Sequence, residues 1–190
     1  MKSYNTFTTK KVVLAALLAA LTVVGSAIRI TLPLEIAGTT SFHLGNIMCA
    51  LSGILMGPWL GGLAAGIGSA IYDMLNPLYI SEAWITFLTK GAYGLAAGLV
   101  AWSGKKSWGY GKATIAAVAG AVTYAVLYLS TTYFYSGLLM HGLTPDAALV
   151  TVFTKLPATI FNAAVAILFA PFLATAIREG LKKNHLSLEN

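Results

Sequence analysis

Six apolar stretches separated by short polar or Gly/Pro breaks occupy most of the chain. A hydrocarbon core of about 30 Å calls for about 20 apolar residues per crossing. The pattern therefore predicts six helices, over residues 11–31, 44–56, 59–75, 83–102, 113–139 and 147–177. The second and third are short and joined only by Gly57 and Pro58, so they are expected to tilt, or to dip in and turn back. The last is long, and Pro157 and Pro171 are expected to kink or shorten it.

Composition agrees with this reading. The 190 residues are 57% hydrophobic and 9% charged, against about 25% charged in soluble domains, which leaves too few charges for an ordinary water-facing surface. The expectation is an all-α integral membrane protein, one compact bundle of six transmembrane helices forming a single membrane domain over 1–190. The stretch LGNIMCALSGILMGPWLGGLAAGIGSAIYDML carries seven glycines, each of which would cost roughly 1 kcal/mol inside a water-soluble helix. In lipid, small residues let helices approach closely. Gly53, Gly57 and Gly61, then Gly62 and Gly66, then Gly94 and Gly98, recur at intervals of four and mark contact faces.

An even number of spans puts both termini on one side. Lys2, Lys10, Lys11, Lys105, Lys106, Lys112, Arg178, Lys182 and Lys183 gather there, leaving Arg29, Lys90 and Lys155 elsewhere. The positive-inside rule makes that side, and both termini, cytoplasmic. Glu35, Asp73, Glu82 and Asp146 then fall at the outer ends or outer loops. The net charge of +6 is thus a topology signal and gives no reason to expect nucleic-acid binding. The N-terminal pattern also fits a secretory signal, but its apolar run continues to Ile30 and further spans follow, so it is taken as the first helix. Cys49, the single cysteine, has no disulfide partner in the chain and is expected to pack.

Lys90 and Lys155 are charges set well inside predicted spans, at an insertion cost of roughly 2.5 to 3.5 kcal/mol each. Lys90 in WITFLTKGAYG and Lys155 in TVFTKLPATIFN both lie within reach of an outward-facing cavity. The alternative for them is pairing with Asp73 or Glu82. His43, Asn46, Asn76, Thr86, Thr89 and Asn162 cluster at the same depth. His43 lacks a second histidine at ligand spacing, so no metal site is expected. Tyr133, Phe134 and Tyr135 fit an interfacial aromatic belt, whereas Trp84, Tyr124 and Tyr128 are placed to line a cavity. Flat aromatic walls with a few polar groups suit a heteroaromatic small molecule. No HExxH, GxSxG or GxxxxGK[ST] motif is present, so an enzyme has little support.

In the first helix Ala15 and Ala19, and Ala16 and Ala20, are each four apart. From spacing alone, internal packing and docking of another membrane subunit remain equally open. The order of these features resembles the substrate-binding S components of energy-coupling factor (ECF) vitamin transporters. The likeness extends over residues 10–100, and over the rest by helix number and length alone. Its most specific pieces are LGN…GxxxGPxxGGxxAGxGSAxxD and the lysine of TFLTKG.

The resemblance implies a multi-pass bundle of the bacterial cytoplasmic membrane that captures a vitamin or related micronutrient at its outer face. Its implied partners are a transmembrane coupling protein and two cytoplasmic ATPases, which use the ATP; no cofactor is implied for this chain. Ala15 and Ala19, with Ala16 and Ala20 beside them, become the docking face. The outer loop around 33–43 would close the site, and the loaded bundle would topple in the membrane. By position, Lys90, Tyr128, Lys155 and Asn162 fall in the lining regions, and Asn46, Asp73, Trp84 and Tyr124 complete the candidate binding set. The family's substrates range from riboflavin, thiamin, biotin and folate to pyrimidine and queuosine-related precursors. The lysines favour carboxylate, phosphate or other accepting oxygens, and the aromatics favour a ring. The competing reading is a self-sufficient transporter or channel, which would need an internal repeat or a polar path through the full membrane depth; the polar residues concentrate in the outer half only.

Overall fold

The computed structural model describes residues 8–33, 39–104 and 108–184. Lys2, Glu35, Lys105, Lys106 and His185, which the charge and histidine patterns include, lie outside these residues. Six α-helices are present: α1 (Thr9–Ala27), α2 (Gly45–Met56), α3 (Pro58–Met74), α4 (Ala83–Ala101), α5 (Tyr110–Thr131) and α6 (Pro145–Lys183). Between α1 and α2 lie two strands, β1 (Arg29–Pro33) and β2 (Thr39–His43). A π-helical segment, Thr132–Met140, continues α5, and a 3₁₀ turn, Ile80–Glu82, leads into α4. By length and composition, α1, α5 with its π extension, and α6 are long and apolar enough to cross a membrane.

Helix α2 is the axis of the bundle. Its 12 residues reach only about 18 Å, and it packs against α1, α3, α4, α5 and α6. Cys49, Ala50 and Ile54 are fully buried in it. The chain reverses from α2 into α3 at Gly57, whose φ of +79° lies in the left-handed region where a side chain would be strained. Pro58 follows at the first turn of α3, where its missing N–H costs nothing.

The glycine faces hold α2, α3 and α4 at backbone contact. A Cβ on Gly94 would stand 2.7 Å from the Gly61 carbonyl oxygen and 3.0 Å from the Ala65 methyl, and one on Gly66 would stand 2.7 Å from the Phe87 carbonyl oxygen. Only glycine permits so close an approach at these positions.

Two elements depart from the sequence expectation. The first helix stops at Ala27, and residues 29–33 pair antiparallel with 39–43, Arg29 opposite His43 and Thr31 opposite Ser41. The reason is the alternation in IRITLP: Ile28, Ile30 and Leu32 are exposed, while Arg29 and Thr31 are turned partly inward, a period of two that suits a strand. A hydroxyl contact of 3.3 Å between Thr31 and Ser41 ties the strands side to side. The other departure is α6, which runs unbroken for 39 residues through Pro157 and Pro171, so the prolines do not shorten it.

Candidate functional site

The β hairpin covers one end of the bundle, and beneath it lies a cavity of about 250 Å³. Helical spacing builds its walls. Ser69 and Asp73 on α3, Thr86 and Lys90 on α4, Tyr124 and Tyr128 on α5, and Lys155 and Thr159 on α6 are pairs four apart, each presenting one helix face to the cavity. Asn162, one turn further along α6, completes that wall. The hairpin adds Arg29, Thr40, Ser41 and His43, and the segment before α4 adds Tyr79 and Glu82.

Each polar group has a distinct setting. The Lys90 ammonium donates to Asn46 Oδ1 and lies 3.9 Å over the Tyr124 ring. Tyr93, Tyr124 and Tyr128 form a stacked column with centroid spacings of 5.8 and 5.4 Å. The Lys155 ammonium stands 5.8 Å from the Tyr128 centroid. Arg29 lies over both Tyr72 and Tyr79, at 4.1 and 4.8 Å, and its Nε donates to the Ser26 carbonyl at 2.7 Å. Glu82 accepts from the Ser136 hydroxyl at 2.9 Å, a contact supplied by the π-helical segment. Among the described residues no direct contact within 4.0 Å joins Arg29, Lys90 or Lys155 to Asp73 or Glu82, and the carboxylates act on the two lysines across the cavity through their charge. Asn46 Nδ2 and the Tyr93 hydroxyl are buried without a partner among the described residues.

The hairpin is fastened to α6 by one side chain. Asn162 Oδ1 accepts from the His43 N–H at 3.0 Å, and Asn162 Nδ2 donates to the Ser41 carbonyl at 2.8 Å. His43 Nδ1 accepts from the Gly45 N–H at 3.1 Å. Burial, then the nearby charges of Lys90 and Arg29, push the imidazole well below its ordinary pKa, so it serves as a neutral acceptor.

The cavity brings together six of the eight expected residues: Asp73, Lys90, Tyr124, Tyr128, Lys155 and Asn162. Asn46 stands behind Lys90 instead of at the wall, buried and holding the ammonium. Trp84 is a correction. It is 55% exposed and packs edge-to-face on Tyr135 at 5.4 Å, because the cavity takes Thr86 and Lys90 from α4 and the phase of the helix turns Trp84 away. Arg29, Tyr79 and Glu82 were not foreseen as wall residues, and His43 was weighed only as a metal ligand. The alternation of residues 28–32 is the signal that would have brought Arg29 in.

The four alanines of α1 also divide. Ala15 and Ala19 are half-buried and pack on the core, where Gly68 of α3 lies against the Ala19 carbonyl. Ala16 and Ala20 are exposed. Four residues in two adjacent i, i+4 rows span too wide an arc to form one free face.

Comparison with known proteins bears on this architecture. The family model for the ECF-type riboflavin transporter, S component, matches residues 6–179. An "uncharacterized protein in gap 3′ region" of Pyrococcus woesei is 34% identical over 118 residues, 62% of this chain and 74% of that protein. A "UPF0397 protein" of Streptococcus gordonii is 37% identical over 96 residues, 50% of this chain and 49% of that one. Among solved structures, the S component for biotin from an ECF-type ABC transporter superimposes with a TM-score of 0.62 at 14% identity, covering 90% of this chain and 94% of that one; at this identity the likeness is one of fold. With the match running over nearly the whole sequence, the protein belongs to the ECF-type riboflavin transporter S-component family, a family of membrane transport components and not of enzymes.

Proposed function

We propose that this chain is the substrate-capturing subunit of an ECF-type importer, working as one membrane domain, and that its ligand is a vitamin or related micronutrient held under the β hairpin. The observation that carries this reading is the cavity itself: charged and aromatic side chains from four helices and the connecting segments converge at one end of the bundle beneath a latched cover. The basic residues support an orientation with the hairpin outward, since Lys10, Lys11, Lys112, Arg178, Lys182 and Lys183 lie toward the other end, at the starts of α1 and α5 and the end of α6.

Partners supply the energy in this reading, and the chain's lack of a nucleotide-binding motif is consistent with that. In this reading a transmembrane coupling protein docks on α1 and two cytoplasmic ATPases supply ATP hydrolysis, with no cofactor on this chain. The exposed row of Ala16 and Ala20, flanked by Val13, Leu17 and Val24, gives a flat apolar strip suited to close helix contact. Ala15 and Ala19 support the strip from behind. Native mass spectrometry of the gently released protein tests capture: a stoichiometric small-molecule adduct is expected. Co-purification with the coupling protein tests docking: Ala16→Trp with Ala20→Trp should abolish it and leave the adduct in place. Absence of both adduct and coupling protein would favour a self-sufficient transporter.

A further inference from the structure

The β hairpin has two faces of opposite character. Its inner face gives Arg29, Ser41 and His43 to the cavity. Its outer face carries Ile30, opposite Phe42 in the strand register, and Leu32 two residues further on. Ile30 is 68% exposed and Leu32 43%, and a row of apolar side chains left to water is unfavourable, so this face calls for an apolar covering.

The neighbouring helix identifies that covering. Phe42 packs edge to face on Phe161 of α6, with ring centroids 5.0 Å apart. Phe161 is itself exposed and begins a row with the exposed Leu168 and Phe172, at steps of seven and four, the spacing that keeps side chains on one helix face. Helix α6 is long and apolar enough to cross a membrane, and this row is the face it turns to lipid. Through Phe42 and Phe161 the outer face of the hairpin joins it.

Depth agrees. Phe161 lies 17 residues before Arg178, about 26 Å along a helix axis, which is inside a hydrocarbon core of about 30 Å when Arg178 stands at its basic boundary. A strand edge at that level must have its polar groups matched within the protein. Where β2 meets α6, the His43 N–H and the Ser41 carbonyl are both taken by Asn162, which does there what water does at the edge of a soluble sheet.

We infer that the outer face of the hairpin is a lipid-contact surface: Ile30, Leu32 and Phe42 seat against the acyl chains around the covered end of the bundle and extend the lipid-facing row of α6. The cover is thus flanked by bilayer as well as by protein, whatever molecule the cavity holds.

Spin-label accessibility on the full chain tests this. Single cysteines in a Cys49→Ala background carry a nitroxide, the protein is reconstituted sparsely in phosphatidylcholine vesicles, and collision rates with oxygen and with a neutral nickel chelate are compared. Oxygen concentrates in hydrocarbon and the polar chelate is kept out, so labels on Ile30→Cys and Leu32→Cys should give an oxygen-to-chelate ratio at least about fivefold above that on Asp146→Cys, at the exposed start of α6, and close to that on Phe172→Cys. A label on Thr31→Cys should show fewer oxygen collisions than either neighbour, the alternation of a strand. If one outward variant fails to fold, the other carries the comparison. Chelate access at positions 30 and 32 equal to that at 146 overturns the inference. Dipolar broadening between labels also overturns it, since a second copy of the chain would then cover the face.

Discussion

Asn162 grips the backbone on both sides of Phe42: it accepts from the His43 N–H and donates to the Ser41 carbonyl, at 3.0 and 2.8 Å. A side chain of α6 thereby sets the position of the cavity's cover. Each such bond is worth about 0.5 to 1.5 kcal/mol net. Asn162→Leu should leave the helices folded and loosen the hairpin. Hydrogen exchange should then quicken in residues 39–43 with little change in α2, and the dissociation rate of a bound ligand should rise by roughly tenfold, as about 1.4 kcal/mol implies. Unchanged exchange in 39–43 would show that the strand pairing alone holds the cover.

Acid should weaken the native state through His43. Its folded pKa is held well below the ordinary value by burial and by Lys90 and Arg29, so in acid the unfolded chain binds a proton that the folded one does not. The stability this costs is absent above the unfolded pKa of about 6.5 and grows as pH falls below it. Thermal unfolding in detergent should therefore drop between pH 7 and 5 more steeply for the wild type than for His43→Asn, which keeps an acceptor for the Gly45 N–H without the titration.

Gly91 and Gly94 lie three residues apart on α4 and should behave oppositely. A Cβ at Gly94 meets the Gly61 carbonyl oxygen at 2.7 Å, whereas one at Gly91 has its nearest neighbour at 3.6 Å, ordinary contact. Gly94→Ala should destabilise by about 1 to 3 kcal/mol through overpacking, and Gly91→Ala should be neutral or slightly stabilising. Melting temperatures of the two variants decide the matter.

Lys90 and Asn46 should prove energetically coupled. Removing either leaves a buried polar partner unmatched, at about 1 to 3 kcal/mol or more, so Lys90→Met and Asn46→Leu should each destabilise the fold. Removing both together should cost less than their sum, and a double-mutant cycle on thermal stability would measure the difference. Lys90→Ala should in addition weaken ligand binding. Additive effects would mean that the two side chains act independently.

Much of the site was legible because it is written in helical spacing. Lys90, Tyr124, Tyr128, Lys155 and Asn162 were found as polar or aromatic residues at one depth of long apolar helices, where each needs a reason to be. The phase was harder to read: Trp84, six residues before Lys90 on α4, faces away from the cavity, and of the neighbours Ala15 and Ala16 on α1 the first is half-buried and the second exposed. Depth follows from counting along the chain, whereas phase depends on which neighbours a helix packs against. The hairpin was missed for another reason. Ile28, Ile30 and Leu32 prolong the apolar character of α1, and in a bilayer protein an exposed apolar row looks the same in composition as the end of a span. Only the alternation with Arg29 and Thr31 distinguishes them.

The shortness of α2 has a consequence for how the protein is made. A segment of 12 residues cannot hold itself across a hydrocarbon core of about 30 Å, and its surface is shaped for five other helices instead of for lipid. Helix α2 is therefore held in the membrane by its neighbours, α1 before it and α3 to α6 after it, and its burial is complete only once those that follow have emerged. The centre of the bundle is the part that the membrane alone cannot receive.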